Sequence, residues 1–537
     1  TSLVNWLITM LVPPRSLPKL NFKSGLPAGF EALVVIPALL TSEEEIQSLV
    51  KQLELHYLRN PQPGLRFALL TDFTDADQET LATDDHLVNY ASEAISQLNK
   101  KYIAERVSSK PVYPEKGYQG KNENHENEEL FFLLHRKRLW NPSEGKWMGW
   151  ERKRGKLHEL NLLLRGGKGL SFIQTIDNKA ALQALQAVRF VITLDADTIL
   201  PMGAASRLAG TLAHPLNQPV INPSTGKVIS GYTILQPRVE IHPKSANFSW
   251  FTKLFAGDAG LDLYTLAVSD VYQDLFGEGS YVGKGIYDID AFEKCVDAHI
   301  PENTVLSHDL LEGIMGRAGL VTDITLVEDY PPNYLAQIMR QRRWIRGDWQ
   351  LLPWLFKPNK NGLYFLKIDR WKIFDNLRRS LLAPALLFIF VLGLIFLPGL
   401  SGLWTAILMI TLAIPLLTGL TRSCIQIMAG EPTSSALRPL GWNFLRWLLS
   451  ITFLVYEAYI ALDAILTTLY RLYISRRNLL QWTTAAQTAH IFGLQSRRSV
   501  AWQKMGLSVI TALILAGGVL LIAELTGIGV APSLIIA

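Results

Sequence analysis

Charge is what this chain has least of. Charged residues make up 18% of its 537, against roughly 25% in an ordinary soluble protein, so part of the chain is expected to live in lipid. Positive charge is only modestly in excess. The net charge is +5, too little to point to a nucleic-acid partner and equally well explained by basic residues held on one side of a membrane. Cysteine is nearly absent: Cys295 and Cys424 lie far apart, which excludes a disulfide framework and a cysteine-based zinc site. Missing too is the G-x-x-x-x-G-K-S/T phosphate loop; "GEGSYVGKGIYDI" has glycines without that spacing.

Apolar sequence is there in quantity: 49% of the chain, with a mean hydropathy of +0.16. Residues 381–421 carry no charge and are interrupted by Pro398-Gly399, which predicts a hairpin of two spanning helices. A third span is expected at 505–523 and the start of a further one at 526–537. The run 447–470 is long enough to cross but contains Glu457 and Asp463, which are costly at mid-bilayer. Arg422, Arg438 and Arg446 precede it; Arg471, Arg476, Arg477, Arg497, Arg498 and Lys504 follow it. The positive-inside rule puts both groups on one face, so this run is expected to lie along the interface or re-enter. Residues 1–12 resemble the last turns of an apolar helix, stopped by Pro13-Pro14-Arg15. Both ends halt within apolar sequence, and the chain is expected to be a section of a longer membrane protein. Three regions follow: a membrane-proximal segment, 1–29; a domain of alternating elements, 30–379; and a membrane domain, 380–537.

In the middle region short β-branched runs alternate with helical patterns. "ALVVIPAL" precedes "TSEEEIQSLVKQLELHYL", whose N-cap is Thr41 or Ser42; "RFALLTDF", "RFVITLDAD" and "ISGYTILQPRVEI" are further strands. This predicts an α/β fold, a mostly parallel sheet with helices on both faces, whose ligands sit at the carboxyl ends of the strands. The polar stretch 111–144 is expected to be a surface loop or lid.

Six groups of residues carry chemistry. Asp195-Ala196-Asp197 ends a buried strand, where one carboxylate suits a divalent cation, Mg²⁺ or Mn²⁺, and the other a ribose. "RKRGKLHELN" places Arg152, Lys153, Arg154 and Lys156 at a helix start, a place for phosphate. Asp72 and Asp75 end the second strand and suit nucleotide hydroxyls and imides. "VLSHDLLEG" offers Asp309 as the carboxylate that takes an acceptor proton, with Glu312 in reserve and His308 as an orienting neighbour. "RQRRWIRGDW" gives Arg340, Gln341, Arg343 and Trp344: guanidinium groups for a diphosphate and an indole for a sugar face. Glu278 and Lys284, in the glycine-rich "GEGSYVGKGIYDI", are expected on the acceptor side.

Taken in this order, the VVIP strand, strand-end aspartates, basic G-K-x-x-x-L-N, D-x-D, acidic base motif and R-Q-x-R-W before membrane helices resemble a family-2-type processive glycosyltransferase. The closer resemblance is to the glycosyltransferase domain of cyclic β-1,2-glucan synthases. It is carried by "GEGSYVGKGIYDIDAF", "LSHDLLEG", "VEDYPPNY", "RQRRWIRGDWQLLPWL" and "LDAILTTLYRLYISRRNLLQW". The resemblance implies a GT-A-like catalytic domain and an inverting transfer of glucose from UDP-glucose with a divalent metal. It implies a β-1,2-glucan grown on a protein-linked primer, in the cytoplasmic membrane of a Gram-negative bacterium, with the catalytic domain on the cytoplasmic side. Asp72 and Asp195 would contact nucleotide, Asp197 the metal with Asp195 beside it, Asp309 would be the base, and Gln341, Arg343 and Trp344 would stand at the diphosphate and acceptor. His308 and Arg340 depart from the wider pattern, which has Glu and Gln at those places. Two other readings stay open: a related sugar transferase of different linkage, and a non-catalytic nucleotide-sugar-binding membrane subunit.

Overall fold

The computed structural model describes residues 4, 7–8, 11–108, 129–173, 178–256, 271–296, 299–356, 365–430, 432–481 and 497–526. The expected α/β architecture is there. Strands β1 (Ala32–Leu40), β2 (Leu65–Phe73), β3 (Phe131–Arg136), β4 (Phe190–Thr193), β5 (Ile234–Ile241), β6 (Gly285–Asp288) and β7 (Ala318–Glu328) form one sheet. Its order is β7-β5-β6-β4-β1-β2-β3. All neighbours are parallel except β6, which runs against both β4 and β5. From β1 the chain moves one way to β2 and β3, then returns to the other side of β1 for β4. Such a reversal leaves a crevice at the carboxyl ends of β1 and β4, and Asp195 and Asp197 follow directly on the end of β4.

Helices α1 (Glu43–Arg59), α2 (Asp84–Ser108), α3 (Arg152–Leu164), α4 (Lys179–Gln186), α5 (Ala204–Leu212), α6 (Trp250–Phe255) and α7 (Asp309–Met315) fill the connections. Strand side chains alternate between faces. Ala32, Val34 and Ile36 pack with α1, α2 and α5, whereas Leu33 and Val35 pack with α3, α4 and α7. Of the two candidate caps for α1 it is Ser42 that accepts from the Glu45 backbone N–H, at 3.3 Å. The stretch expected to be a loop or lid is corrected in its second half. Residues 111–128 lie outside the described residues, but "FFLLHR" is β3, buried throughout, and residues 139–148 make a short hairpin. Six apolar-rich residues after a polar run carry no periodicity of their own; pairing with β2 makes them a strand.

Beyond the sheet come α8 (Tyr334–Gln350), α9 (Lys367–Ser380), α10 (Leu382–Phe396), α11 (Ser401–Leu412), α12 (Ile414–Met428), α13 (Thr433–Tyr470) and α14 (Arg497–Thr526). Two described helical stretches are long and apolar enough to cross a membrane, Thr433–Ser475 and Trp502–Leu521. The number rises to four if two bent pairs, α9 with α10 and Pro398–Leu412 with α12, each count as one. The turn expected at Pro398-Gly399 is present as a 3₁₀ turn, but the second limb of 381–421 bends by 59° at Ala413, two residues before Pro415, whose ring fits only the first turn of a helix. Residues 447–470 belong to the single helix α13, which lies along the α/β domain rather than pointing away from it. Arg446 Nε donates to Leu254 O at 2.5 Å. Tyr334 stacks on Phe453 at 4.0 Å between centroids, Ile345 packs on Ala461, Ala464 and Ile465, and Arg342 pairs with Asp463 at 2.6 Å.

Candidate active site

The crevice is built by four pieces of backbone: the end of β4, the start of α3, the glycine-rich stretch before β6, and the start of α7. The start of α3 is strained. Glu151 and Arg152 both have positive φ, 50° and 52°, in the left-handed region that costs an L-residue roughly 1–2 kcal/mol. The turn is tight because Gly155 lies almost against Trp150: a Cβ there would sit 2.0 Å from the Trp150 carbonyl oxygen. Arg154 holds the bend by pairing with Glu151 at 2.7 Å. The consequence is that Lys153 projects into the crevice.

There its ammonium donates to Asp195 Oδ1 at 2.6 Å and to Gly283 O at 2.9 Å. Lys284 lies 3.1 Å from Asp195 Oδ2 and also pairs with Glu328, which in turn accepts from Thr198 Oγ1 at 2.9 Å. Burial works against charge on Asp195, but the two ammonium groups outweigh it and hold its carboxyl well below the usual range. Lys284 is pushed up by Asp195 and Glu328 against the opposing effect of burial. Asp197 is different. Its side chain is exposed at the mouth and pairs with no cation among the described residues. The protein around it, then the Glu328 carboxylate, raise its carboxyl to about 6.

Asp309 stands across the glycine stretch. Gly283 has φ +83°, and a Cβ on it would lie 2.6 Å from Asp309 Oδ1. Only glycine lets the backbone that bonds Lys153 also touch this carboxylate. Buried His308 places Nδ1 2.7 Å from Glu312 Oε1 and 3.7 Å from Asp309 Oδ1. Burial lowers its pKa, but Glu312 and Asp309 more than reverse that, and the imidazole is raised. Arg343 faces the same space: burial lowers its pKa, while Asp195, Asp309 and Asp197 pull the other way. Arg340 is stacked near Tyr330 and Trp344, 5.5 and 5.0 Å from their ring centroids, within the field of Asp197 and Glu328. Gln341 and Trp344 are exposed beside it.

The structure thus gathers Asp195, Asp197, Lys284, Asp309 and Arg343, with Arg340 at the edge. Other expected residues stand elsewhere. Asp72 is buried, its two oxygens on Arg136 at 2.8 and 3.0 Å, and Lys156 lies 3.3 Å beyond and bonds Ala38 O. Burial lowers Lys156 to about 8. Asp75 is bound by Arg152, whose Nε reaches Leu480 O. Arg154 serves Glu151. Glu312 is taken by His308, and Glu278 is buried between Arg317 and Lys372 of α9. Two residues stand where the sequence did not put them: Lys153, expected with its neighbours at phosphate, and Glu328, given no role. Lys153 sits inside the basic run, where nothing but the strained turn separates it from its neighbours. Glu328 sits in a recognised motif, and β7 must pair with β5 before it reaches Lys284.

For a divalent cation the donor set at the mouth fits: Asp197 offers a carboxylate unpaired among the described residues, and Asp195 offers oxygens now on ammonium groups that such an ion would replace. The ligand atoms of His308, Asp309 and Glu312 also lie within 4.8 Å of one another, with His308 Nδ1 2.7 Å from Glu312 Oε1 yet outside hydrogen-bond geometry.

No family model matches the chain. It is 43% identical over 491 residues to the cyclic β-(1,2)-glucan synthase NdvB of Rhizobium meliloti (strain 1021), covering 90% of this chain and 16% of that protein. It is 28% identical over 218 residues to the glucans biosynthesis glucosyltransferase H of Ralstonia nicotianae (strain ATCC BAA-1114 / GMI1000), covering 36% of this chain and 23% of that protein. The chain therefore spans less than a quarter of either relative's length. Among solved structures, the mannosyltransferase PcManGT from Pyrobaculum calidifontis in complex with GDP-Man and Mn²⁺ aligns over 89% of this chain and 95% of its own, at 12% identity and a TM-score of 0.40. The likeness to a cyclic β-1,2-glucan synthase extends over nine-tenths of the sequence, well past the motifs that first carry it.

Proposed function

We propose that the chain is a membrane-bound, inverting GT-A-type glucosyltransferase that moves glucose from UDP-glucose onto a growing β-1,2-glucan, in the synthesis of a cyclic product. One observation carries the reading: in a chain 43% identical to a cyclic β-(1,2)-glucan synthase over 90% of its length, Gly283 brings Asp309 and the Asp195 end of β4 to one crevice. Asp309 accepts the proton of the acceptor hydroxyl as its oxygen attacks the anomeric carbon, and the bond from that carbon to the diphosphate breaks on the opposite face. Arg343, with Arg340, balances the charge developing on the leaving diphosphate. Lys153 and Lys284 hold Asp195 ionised beside the nucleotide, and Trp344 with Gln341 borders the acceptor. A divalent cation, Mg²⁺ or Mn²⁺, would be held by Asp197 with Asp195 and would neutralise diphosphate charge. Asp72, Asp75, Arg154, Lys156 and Glu278 act at one remove, by fixing the walls that carry these groups. The acceptor is glucan on a protein-linked primer.

The same reading places the chain in a bacterial inner membrane with its catalytic domain in the cytoplasm. Residues 447–470 of α13 then run along the membrane surface, because the catalytic domain is attached at Arg446 and again from Ala461 to Ile465.

The test is incubation of the full chain, in detergent or nanodiscs, with UDP-glucose, a primer and Mg²⁺ or Mn²⁺, beside Asp309→Asn and Asp197→Asn. A β-1,2-glucan formed by the parent, lost on chelation and lost in both variants, is expected. UDP release with another linkage would overturn the glucan assignment, and no UDP release from folded protein would overturn the enzymatic one.

A further inference from the structure

α6 has two faces of opposite character. Its inner face is fixed: Thr252 and Leu254 are buried, and Phe251 packs its ring 6.0 Å from Tyr330 and 6.3 Å from Tyr334. A capping box of Ser249 with Thr252 fixes the helix start. Its outer face presents Trp250, 79% exposed, next to Phe248, 71% exposed. Lone exposed apolar side chains are ordinary, but these two are large and stand two residues apart at the capped start of α6. Lys253 lies 5.7 Å from the Trp250 ring, and Lys244 is exposed on the short helix Pro243–Ala246 that precedes Phe248. An aromatic pair edged by lysines is the composition of a membrane–water boundary.

What covers this surface is indicated by what it is attached to. Leu254 O accepts from Arg446, the residue directly before the apolar run of α13, and Phe444, Leu445 and Leu448 around that arginine are themselves 49%, 40% and 41% exposed. The aromatic foot and the first turns of the apolar run are therefore tied together by one hydrogen bond. An aromatic surface on a segment anchored to lipid-facing helix fits a bilayer better than it fits a soluble partner.

We propose that Phe248 and Trp250 insert into the headgroup boundary of the bilayer, as a foot that seats the catalytic domain on the membrane, with Lys244 and Lys253 at the phosphate level. The occupant is the lipid surface itself. The proposal does not depend on which sugar the crevice transfers.

The test uses the full chain in nanodiscs of phosphatidylethanolamine and phosphatidylglycerol, with Cys424→Ser as background, since Cys295 is buried and Cys424 exposed. A nitroxide label is attached in turn at Phe248→Cys, at Trp250→Cys and at Ser96→Cys, on the exposed surface of α2. Collision rates with oxygen and with a water-soluble nickel chelate are compared. At 248 and 250 oxygen is expected to win over nickel, the reverse of the result at 96. Equal, water-like ratios at all three sites would overturn the foot. So would shielding from both reagents at 248 and 250, the signature of a protein cover, including a second copy of the chain. Labelling the two positions separately keeps the test decisive if either variant misfolds.

Discussion

Gly283→Ala separates a catalytic from a structural role for the glycine stretch, and the structure sets the size of its effect. At φ +83° an alanine costs roughly 1–2 kcal/mol of backbone strain. Its Cβ would also stand 2.6 Å from Asp309 Oδ1 and 2.9 Å from Cγ, about 1 Å inside ordinary contact distance. Something must move, and Asp309, with 29% of its side chain exposed, has more freedom than the backbone that holds Lys153. A base displaced by about 1 Å costs on the order of 10²-fold in rate. The expectation is a kcat lowered about 10²-fold, KM for UDP-glucose little changed, and stability down by roughly 1–2 kcal/mol. Gly29→Ala is the control: it has the same φ, +83°, and no atom within 4 Å of the added Cβ. It pays the backbone strain alone. The measurement is steady-state UDP release alongside thermal unfolding of parent, Gly283→Ala and Gly29→Ala. A Gly283→Ala protein as unstable as Gly29→Ala but with parental kcat refutes the placement of Asp309 at the reacting centre.

Three further outcomes are expected. Lys284→Met leaves buried Glu328 without its cation and Asp195 with only Lys153, a loss of about 3–5 kcal/mol. Thermal melts with and without Mn²⁺ check it, and a metal-free melt matching the parent rejects it. Arg136→Met leaves buried Asp72 with Lys156 alone, 3.3 Å away, again at about 3–5 kcal/mol; chemical unfolding checks it, and a variant as stable as the parent contradicts the pair. Glu312→Gln tests the His308 pair through pH. Because the folded state raises His308 above its unfolded value of about 6.5, the pair's stabilisation is complete below about 6.5 and fades as pH rises through the folded value. Unfolding of parent and Glu312→Gln should therefore differ most near pH 6 and converge in alkali; a difference constant with pH would remove the charged imidazole from the account.

The strands were legible where an apolar run stood alone between turn signals, as β1, β2 and β4 do. β3 was not, because its six residues follow a polar tract and only the edge of β2 makes them a strand. In the crevice, Asp195, Asp197 and Asp309 were legible because strand ends and helix starts announce themselves in sequence. The division within "RKRGK" was not: all four basic side chains carry the same charge, and only the folded turn at Glu151-Arg152 and the helix after it show Lys153 on Asp195, Arg154 on Glu151 and Lys156 on Asp72.

Sequence by itself therefore determined the alternation that makes the sheet, the change of solvent after Arg379, and the kinds of group available for the proposed sugar transfer, since periodicity, hydropathy and residue chemistry are local properties. Tertiary structure decided which of those groups share one space. Charged side chains of the same type acquire different partners only when distant backbone segments meet, as Gly283 meets Asp309 and β7 carries Glu328 to Lys284.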